Sequence, residues 1–153
     1  GVGKKFLEEL PLGIHTLSEG TPDTIKCALY GPNAALSSAT EEYTTTGEVS
    51  GGGYSASGEA VPMTVVGAAG SSRADGAQFE HPYMQPTSDL TITVSGVAVR
   101  GFMIYNASQS NRCMFVGDFG RVITPASGIT FSWAVADVTQ FSQVLVPLIG
   151  LKN

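Results

Sequence analysis

The histidines are the rarest residues in this chain that could carry out acid–base chemistry, and there are 2 of them. His15 and His81 both stand beside turn residues, and neither belongs to a nucleophile elbow, an HExxH pair or a zinc-deaminase spacing. We interpret both as surface or turn histidines. An enzyme would need one of them to meet a carboxylate in a pocket, and we expect no such pocket. The sequence therefore predicts a protein that is not an enzyme.

The cysteines and the aspartates offer little more chemistry. Cys27 and Cys113 are far apart in the sequence and lack the CxxC or Cys/His spacing that holds zinc. We interpret them as buried free thiols, while a disulfide between neighbouring strands stays open. Asp118 between Gly117 and Phe119 could be a buried carboxylate with a raised pKa, but a strand-end aspartate bonding to turn amides is favoured. We expect no metal ion and no cofactor.

Glycine-rich and Asn-containing motifs are better explained by turns than by ligands. The GVGKK stretch lacks the glycine spacing of a phosphate loop, and no helical pattern follows SGGGYSASG at 50–58. Loop or bulge geometry accounts for these glycines. The sequence Asn106-Ala107-Ser108 matches a glycosylation sequon, but we assign it to the chemistry of a hairpin turn.

Composition predicts one β-rich domain spanning residues 1–153. Hydrophobic residues make up 42% of the chain and charged residues only 14%, and 19 glycines punctuate it. The net charge of −5, with scattered Lys and Arg, argues against direct nucleic-acid binding. There is no signal-peptide pattern and no apolar run near the ~20 residues of a membrane helix, so we expect a soluble protein made in the cytoplasm, with no membrane partner.

The stretch 97–119 predicts a long β-hairpin whose turn is NASQSN at 106–111. Two apolar arms flank this polar turn, and side chains alternate between the faces of a strand. Neither face of the first arm is plainly polar. Such a strand is either central in a layered structure or covered on its outer face by another subunit. Two faces of this arm could meet a sister subunit, and the sequence does not choose between them. One face carries Val99, Met103 and Tyr105, and the other carries Phe102 and Ile104.

Together with the two strands of the hairpin, the pattern of the chain predicts about eight short strands and one short helix. The helix is expected at 1–10, with Phe6, Leu7 and Leu10 on its apolar side and Lys4, Lys5, Glu8 and Glu9 on its polar side. Strands are expected at 23–30, 41–49, 60–66, 77–84, 89–94 and 129–136 besides the hairpin. This is typical of an all-β fold, an antiparallel β-sandwich with a short N-terminal helix, for which a jelly roll is one topology.

Both ends of the chain are candidates for docking arms. Residues 1–12 form the helical arm, and the apolar tail at 138–153 is expected to be a last strand or an arm lying in a groove. Together with the hairpin, these segments supply the candidate interface residues Phe6, Leu7, Leu10, Val99, Phe102, Met103, Tyr105, Leu148, Ile149 and Leu151.

Three blocks of the sequence resemble a family of small structural proteins of tailed-bacteriophage virions. The blocks are DTIKCALY at 23–30, YTTTGEVSGGGYSASGEAV at 43–61 and RGFMIYNASQSNRCMFVGDFG at 100–120. The resemblance runs from about Lys5 to about Trp133 and is specific in the order and spacing of the blocks. Ser57 stands where the family usually has a second glycine before Gly58, and residues 67–85 are harder to align.

The resemblance implies a β-rich component of the virion. The function expected from it is a capsid decoration (cement) protein on the outside of the major capsid protein shell, bound as a dimer or trimer. A head–tail joining or tail-fibre-base protein is the alternative virion position. A glycan-binding host-attachment module is a third hypothesis, with Trp133 or surface tyrosines as stacking platforms.

Overall fold

The computed structural model describes residues 1–16, 23–66 and 83–133, and the structural statements below refer to these residues. They form one short helix and eight strands in the following order: α1 Lys4–Glu9, β1 Ile25–Tyr30, β2 Glu59–Ala60, β3 Met63–Val66, β4 Tyr83–Pro86, β5 Leu90–Thr93, β6 Val99–Asn106, β7 Arg112–Ile123 and β8 Gly128–Phe131.

The strands form an antiparallel all-β fold in layers. The largest sheet has four strands in the order β2-β1-β6-β7, while β5 pairs with β8 and β3 pairs with β4. The main core lies between the four-stranded sheet and the β5–β8 pair, where Phe102 meets Phe131 with ring centroids 5.1 Å apart. The prediction of a sandwich-like β fold with a short N-terminal helix is confirmed, while the jelly-roll topology stays a prediction.

The predicted hairpin is confirmed as β6 and β7, and β6 is buried on both faces within a single chain. Phe102 and Ile104 face the main core, whereas Met103 and Tyr105 face a second cluster on the other side of the sheet. A shift in register between Val99 and Gly101 moves Val99 to the main core, so the simple alternation along the arm is wrong there. The free face expected for a sister subunit is absent from this strand, because the same chain covers it.

The cover over the second face of the sheet is the loop at 31–48. The strand predicted at 41–49 is wrong, since this region makes only isolated bridges to strands β1 and β7. The Tyr43 ring stacks on Tyr105 with centroids 4.8 Å apart, and the Tyr30 hydroxyl donates to the Thr44 carbonyl over 2.6 Å. Burial raises the pKa of the Tyr30 hydroxyl, so it remains a donor. We call residues 31–48 the covering loop.

Glu48 fastens the covering loop to the glycine-rich loop that follows it. The Glu48 carboxylate accepts hydrogen bonds from the hydroxyls of Tyr43 and Tyr54, over 2.6 and 2.8 Å, and from the Ser57 backbone N–H over 2.7 Å. The Tyr54 hydroxyl accepts in turn from the backbone N–H of Leu29 in β1. One carboxylate therefore connects two loops to the central sheet.

The glycine-rich loop uses left-handed backbone conformations, which confirms its assignment as loop geometry. Gly51, Gly52 and Gly53 all have positive φ, and Ser57 and Gly58 follow with φ of 67° and 68°. A Cβ at position 58 would stand 1.9 Å from the Cys27 carbonyl oxygen, so only glycine fits there. Ser57 adopts the backbone conformation that a glycine adopts at lower cost.

Three other predicted strands differ from the observed ones. The strand expected at 60–66 is two strands, β2 and β3, and β2 is only 2 residues long. The strand expected at 129–136 is observed as β8, with Ile129 and Phe131 buried as expected. It ends at Phe131, earlier than expected, and residues 134–136 lie outside the described residues. The strand expected at 77–84 falls mostly outside them as well, and β4 begins at Tyr83.

Both cysteines are free and fully buried, as predicted. Cys27 belongs to the main core and Cys113 to the cluster under the covering loop, with strand β6 between their strands. They therefore lie on opposite faces of the sheet and cannot form a disulfide with each other in this fold. Burial raises the pKa of the Cys113 thiol to about 11 and also raises that of Cys27.

The N-terminal segment is a strip of extended chain followed by a helix shorter than predicted. The helix α1 begins at Lys4, and Val2 instead forms an antiparallel bridge with Phe115 of β7. Backbone hydrogen bonds join Gly3 to Met114 and Val116 to Gly1 along the outer edge of β7. This strip covers part of a strand edge that would otherwise present unpaired backbone groups.

Candidate functional site

The most exposed large apolar side chains among the described residues are concentrated in α1 and the turn after it. Leu7, Leu10 and Leu12 are 55%, 41% and 72% exposed, while Val122, at 46%, lies apart from them on β7. Water-exposed leucines grouped in one place mark an interaction surface more often than single ones do. We call Leu7, Leu10 and Leu12 the leucine patch.

The leucine patch exists because helix α1 turns an unexpected face to the sheet. From the sequence, the side carrying Phe6, Leu7 and Leu10 was expected to dock on the sheet or on a neighbouring molecule, with Glu9 on the opposite, polar side. The placement of Glu9 is wrong. The residues of α1 that are buried are Phe6 and Glu9, and Glu9 is only 1% exposed. Phe6 packs on Phe115 of β7, with ring centroids 5.7 Å apart.

Glu9 is stabilised in the interior by two partners. One carboxylate oxygen, Oε1, pairs with the guanidinium group of Arg112, the first residue of β7. The other oxygen, Oε2, lies 3.1 Å from Nε2 of His15. A carboxylate can be buried in this way only when both oxygens have partners, because the penalty of leaving water is large. These contacts fix the rotation of α1 about its own axis.

The ring of His15 is oriented by contacts at both of its nitrogen atoms. The side-chain oxygen of Asn106 accepts from the backbone N–H groups of Ser108 and Gln109, over 3.1 and 3.2 Å, which orients the amide. Its Nδ2 group then lies 3.0 Å from Nδ1 of His15, so Nδ1 must be the acceptor. On the other side of the ring, Nε2 donates to the Glu9 carboxylate.

Asp23 completes this polar cluster on its outer side. Its carboxylate accepts from Asn106 Nδ2 and from the Thr16 backbone N–H, each over 2.7 Å, and from Gln109 Nε2 over 3.1 Å. Partial burial would raise the pKa of this carboxyl, but the hydrogen bonds from Asn106, Gln109 and Thr16 outweigh it, and the pKa is lowered. We call Glu9, His15, Asp23, Asn106 and Arg112 the polar cluster.

The polar cluster corrects the interpretation of His15 and confirms that of Asn106. His15 is a buried residue rather than a surface histidine, and it does meet a carboxylate, that of Glu9. Asn106 is buried and caps the hairpin turn, as the interpretation of its sequon required. Glu9 and His15 are shielded from water and already hydrogen-bonded to each other, so their arrangement serves structure and presents no free atom to a substrate.

A shallow groove of about 280 Å³ lies elsewhere, between the covering loop and strands β6 and β7. Tyr30, Gly101 and Val116 contribute to its lining, and its charged residues are Arg100 and Asp118. These two pair with each other, Nε to Oδ1, over 2.7 Å. Asp118 Oδ1 also accepts from the Gly120 N–H over 2.6 Å. Asp118 is therefore an exposed carboxylate that bonds to a backbone amide, but it lies within strand β7 and not, as the sequence had indicated, at a strand end beside a turn. Hydrogen bonding to Arg100 and Gly120 lowers the pKa of this exposed carboxyl.

The structure divides the predicted interface residues into three groups. Leu7 and Leu10 are exposed and available to a partner. Five are part of the folded interior and offer a partner no surface, namely Phe6, Val99, Phe102, Met103 and Tyr105. The third group, Leu148, Ile149 and Leu151, lies outside the described residues, as do His81 and the predicted arm at 138–153.

Sequence reasoning missed Leu12 and the polar cluster. Leu12 stands after Pro11, where the helical period has ended, so the pattern of α1 did not include it. Glu9 and His15 are close in sequence, but the residues that bury them come from the hairpin ends, roughly a hundred positions later, and no local periodicity connects the two regions.

Within residues 1–16, 23–66 and 83–133, no group of three or more His, Cys, Asp or Glu side chains is placed to hold a metal ion. No helix of this described part is long and apolar enough to cross a membrane. Comparisons of the chain with protein-family models, with curated proteins and with solved structures find no match.

Proposed function

We propose that this protein is a structural component of a bacteriophage particle, and specifically a decoration protein that binds the outer surface of the major capsid shell as a dimer or trimer. Two lines of support are independent of each other. The ordered sequence blocks at 23–30, 43–61 and 100–120 resemble small virion proteins. The fold also exposes apolar side chains next to a rigidly anchored helix.

The observation that carries the proposal is the leucine patch. Two of its residues, Leu7 and Leu10, are one helical turn apart, which is the spacing by which a helix inserts anchors into an apolar groove. The buried Glu9 carboxylate and the Phe6 ring fix α1 against β7, so little conformational entropy remains to be lost when the leucines bind.

The size of the patch favours a partner that engages several copies at once. Three leucine side chains cover far less than the ~800 Å² per partner of a stable two-protein interface. One such contact is therefore weak by itself. Binding becomes strong when an oligomer places two or three patches on a regular surface, because the later contacts form at a high effective concentration. A repeating capsid shell is a surface of this kind.

The proposal is tested on shells assembled without the protein. The purified full chain is added, and the bound copies per shell and the temperature of shell disruption are measured. Hundreds of bound copies and a higher disruption temperature are expected. Six or twelve copies would instead assign the protein to the head–tail junction or tail base, and an unchanged disruption temperature without binding would reject decoration.

A glycan-binding module is less well supported. The Trp133 ring, the aromatic platform expected for it, is stacked on Phe131 with centroids 6.2 Å apart and is partly buried. Binding of the chain to host surface polysaccharide, with no binding to shells, would favour this function instead.

A further inference from the structure

Helix α1 can turn two different faces toward the sheet. With about 100° between successive residues, the apolar side formed by Phe6, Leu7 and Leu10 is centred roughly 75° away from the side formed by Phe6 and Glu9. The structure buries Phe6 and Glu9. A rotation of roughly 75° about the helix axis would keep Phe6 near the sheet, bury both leucines and move Glu9 into water.

Hydrophobicity favours the orientation that is not observed. Leu7 and Leu10 would gain burial in it, and the Glu9 carboxylate would regain its hydration. Helix α1 has only 6 residues and its N-cap residue makes no side-chain hydrogen bond, so local helix geometry does little to resist the rotation.

The backbone hydrogen bonds of Gly3 to Met114 and of Lys4 to Ser38 hold the start of α1, and the side chain of Glu9 holds its last turn. The Glu9 contacts are the ones that bear on which face of the last turn is buried. The Glu9 carboxylate is held by Arg112 from β7 and by His15 from the turn after α1. Both partners are fixed in turn, since Asn106 orients His15 and the backbone of Arg112 is paired with β6. Buried ion pairs of this type add little net stability, yet they can select one arrangement over another.

We propose that α1 has a second stable orientation, rotated so that Leu7 and Leu10 pack on the sheet, and that the Glu9 carboxylate is the positioning group that keeps the leucines exposed. Breaking a single ion pair then withdraws the leucine patch without unfolding the chain. The inference concerns the conformation of α1 and holds whether or not the patch binds a capsid.

Cysteine labelling measures the orientation directly in the full chain. A reporter at Leu10→Cys is exposed in the observed orientation and buried in the rotated one. Its matched control, Glu8→Cys, points away from the sheet in both. The native Cys27 and Cys113 are fully buried, and their slow background is measured in the unsubstituted chain. Each reporter is combined with Arg112→Met, and separately with Glu9→Ala, which leaves no carboxylate to anchor.

We expect each anchor variant to slow labelling at position 10 about tenfold, because the rate follows the population in which that side chain is exposed. Labelling at position 8 should stay within about twofold. Circular dichroism and a cooperative unfolding transition establish that each variant is folded. Unchanged labelling at position 10 in folded variants would overturn the inference. Faster labelling at both positions would also overturn it, because the helix would then detach rather than rotate. If Arg112→Met does not fold, Glu9→Ala provides the same readout.

Discussion

The Glu9 carboxylate of helix α1 is buried against the guanidinium group of Arg112, the first residue of strand β7. This contact joins a helix near one end of the chain to the central hairpin. It also explains the exposed leucines, since a helix that buries Glu9 must turn Leu7 and Leu10 outward. The polar cluster and the leucine patch are therefore two sides of one arrangement.

The first prediction concerns the energetic coupling of these two residues. Glu9→Ala, Arg112→Ala and the double variant should show a coupling free energy of about 1–3 kcal/mol, because each single substitution leaves the other charge without its partner. Urea unfolding of the four proteins gives this value. Additive effects within about 0.5 kcal/mol would mean that the ion pair does not hold α1.

The second prediction concerns the left-handed backbone at Gly58. Gly58→Ala should lower the free energy of unfolding by about 4 kcal/mol, since it combines an unfavourable φ with a Cβ that would collide with the Cys27 carbonyl. Gly51→Ala is the matched control, because Gly51 also has positive φ but has open space around it. It should cost only about 1 kcal/mol. If the two substitutions lowered the free energy of unfolding equally, the close approach of the loop to the Cys27 carbonyl would not be the reason that position 58 requires glycine.

Local sequence patterns predicted some features of this fold and missed others. Alternation and turn chemistry located the hairpin, its turn at Asn106 and the glycine loops, because those signals lie within a few residues of the structures they specify. The strand predicted at 41–49, in the second part of the covering loop, is wrong because the β-branched and aromatic residues there are also typical of a strand. Its actual role depends on Tyr43 stacking over Tyr105, a contact that no local pattern encodes. The burial of Glu9 was missed for the same reason, since Arg112 is remote in sequence.

The third prediction concerns acid stability. The pKa of Asp23 is lowered in the folded chain by hydrogen bonds from Asn106, Gln109 and Thr16, so ionised Asp23 stabilises the fold at pH values above its unfolded value of 3.8. That contribution is lost as the pH falls below about 4 and through the lower, folded pKa. The urea midpoint of Asp23→Asn should therefore fall less between pH 5 and pH 2.5 than that of the parent chain. An equal fall in both proteins would exclude a role for Asp23 ionisation.

The fourth prediction concerns the thiols. Cys27 and Cys113 lie on opposite faces of the sheet, both buried and with raised pKa values, so neither should react with a thiol reagent at neutral pH in the native chain. Both should react once urea unfolds it, and reductant should leave the unfolding midpoint unchanged. A midpoint that falls on reduction would reveal a disulfide, contrary to the topology.

The most direct test of the central claim is the affinity of the leucine patch for capsid shells. Leu7→Ser/Leu10→Ser removes two exposed side chains, so its unfolding midpoint should match that of the parent chain. Val122→Ser is the control, because it removes an exposed apolar side chain on β7, outside the patch. In co-sedimentation with shells assembled without the protein, the double variant should bind at least about tenfold more weakly, and Val122→Ser should bind like the parent chain. Equal binding by all three proteins, or an equal loss in both variants, would contradict docking through the leucine patch.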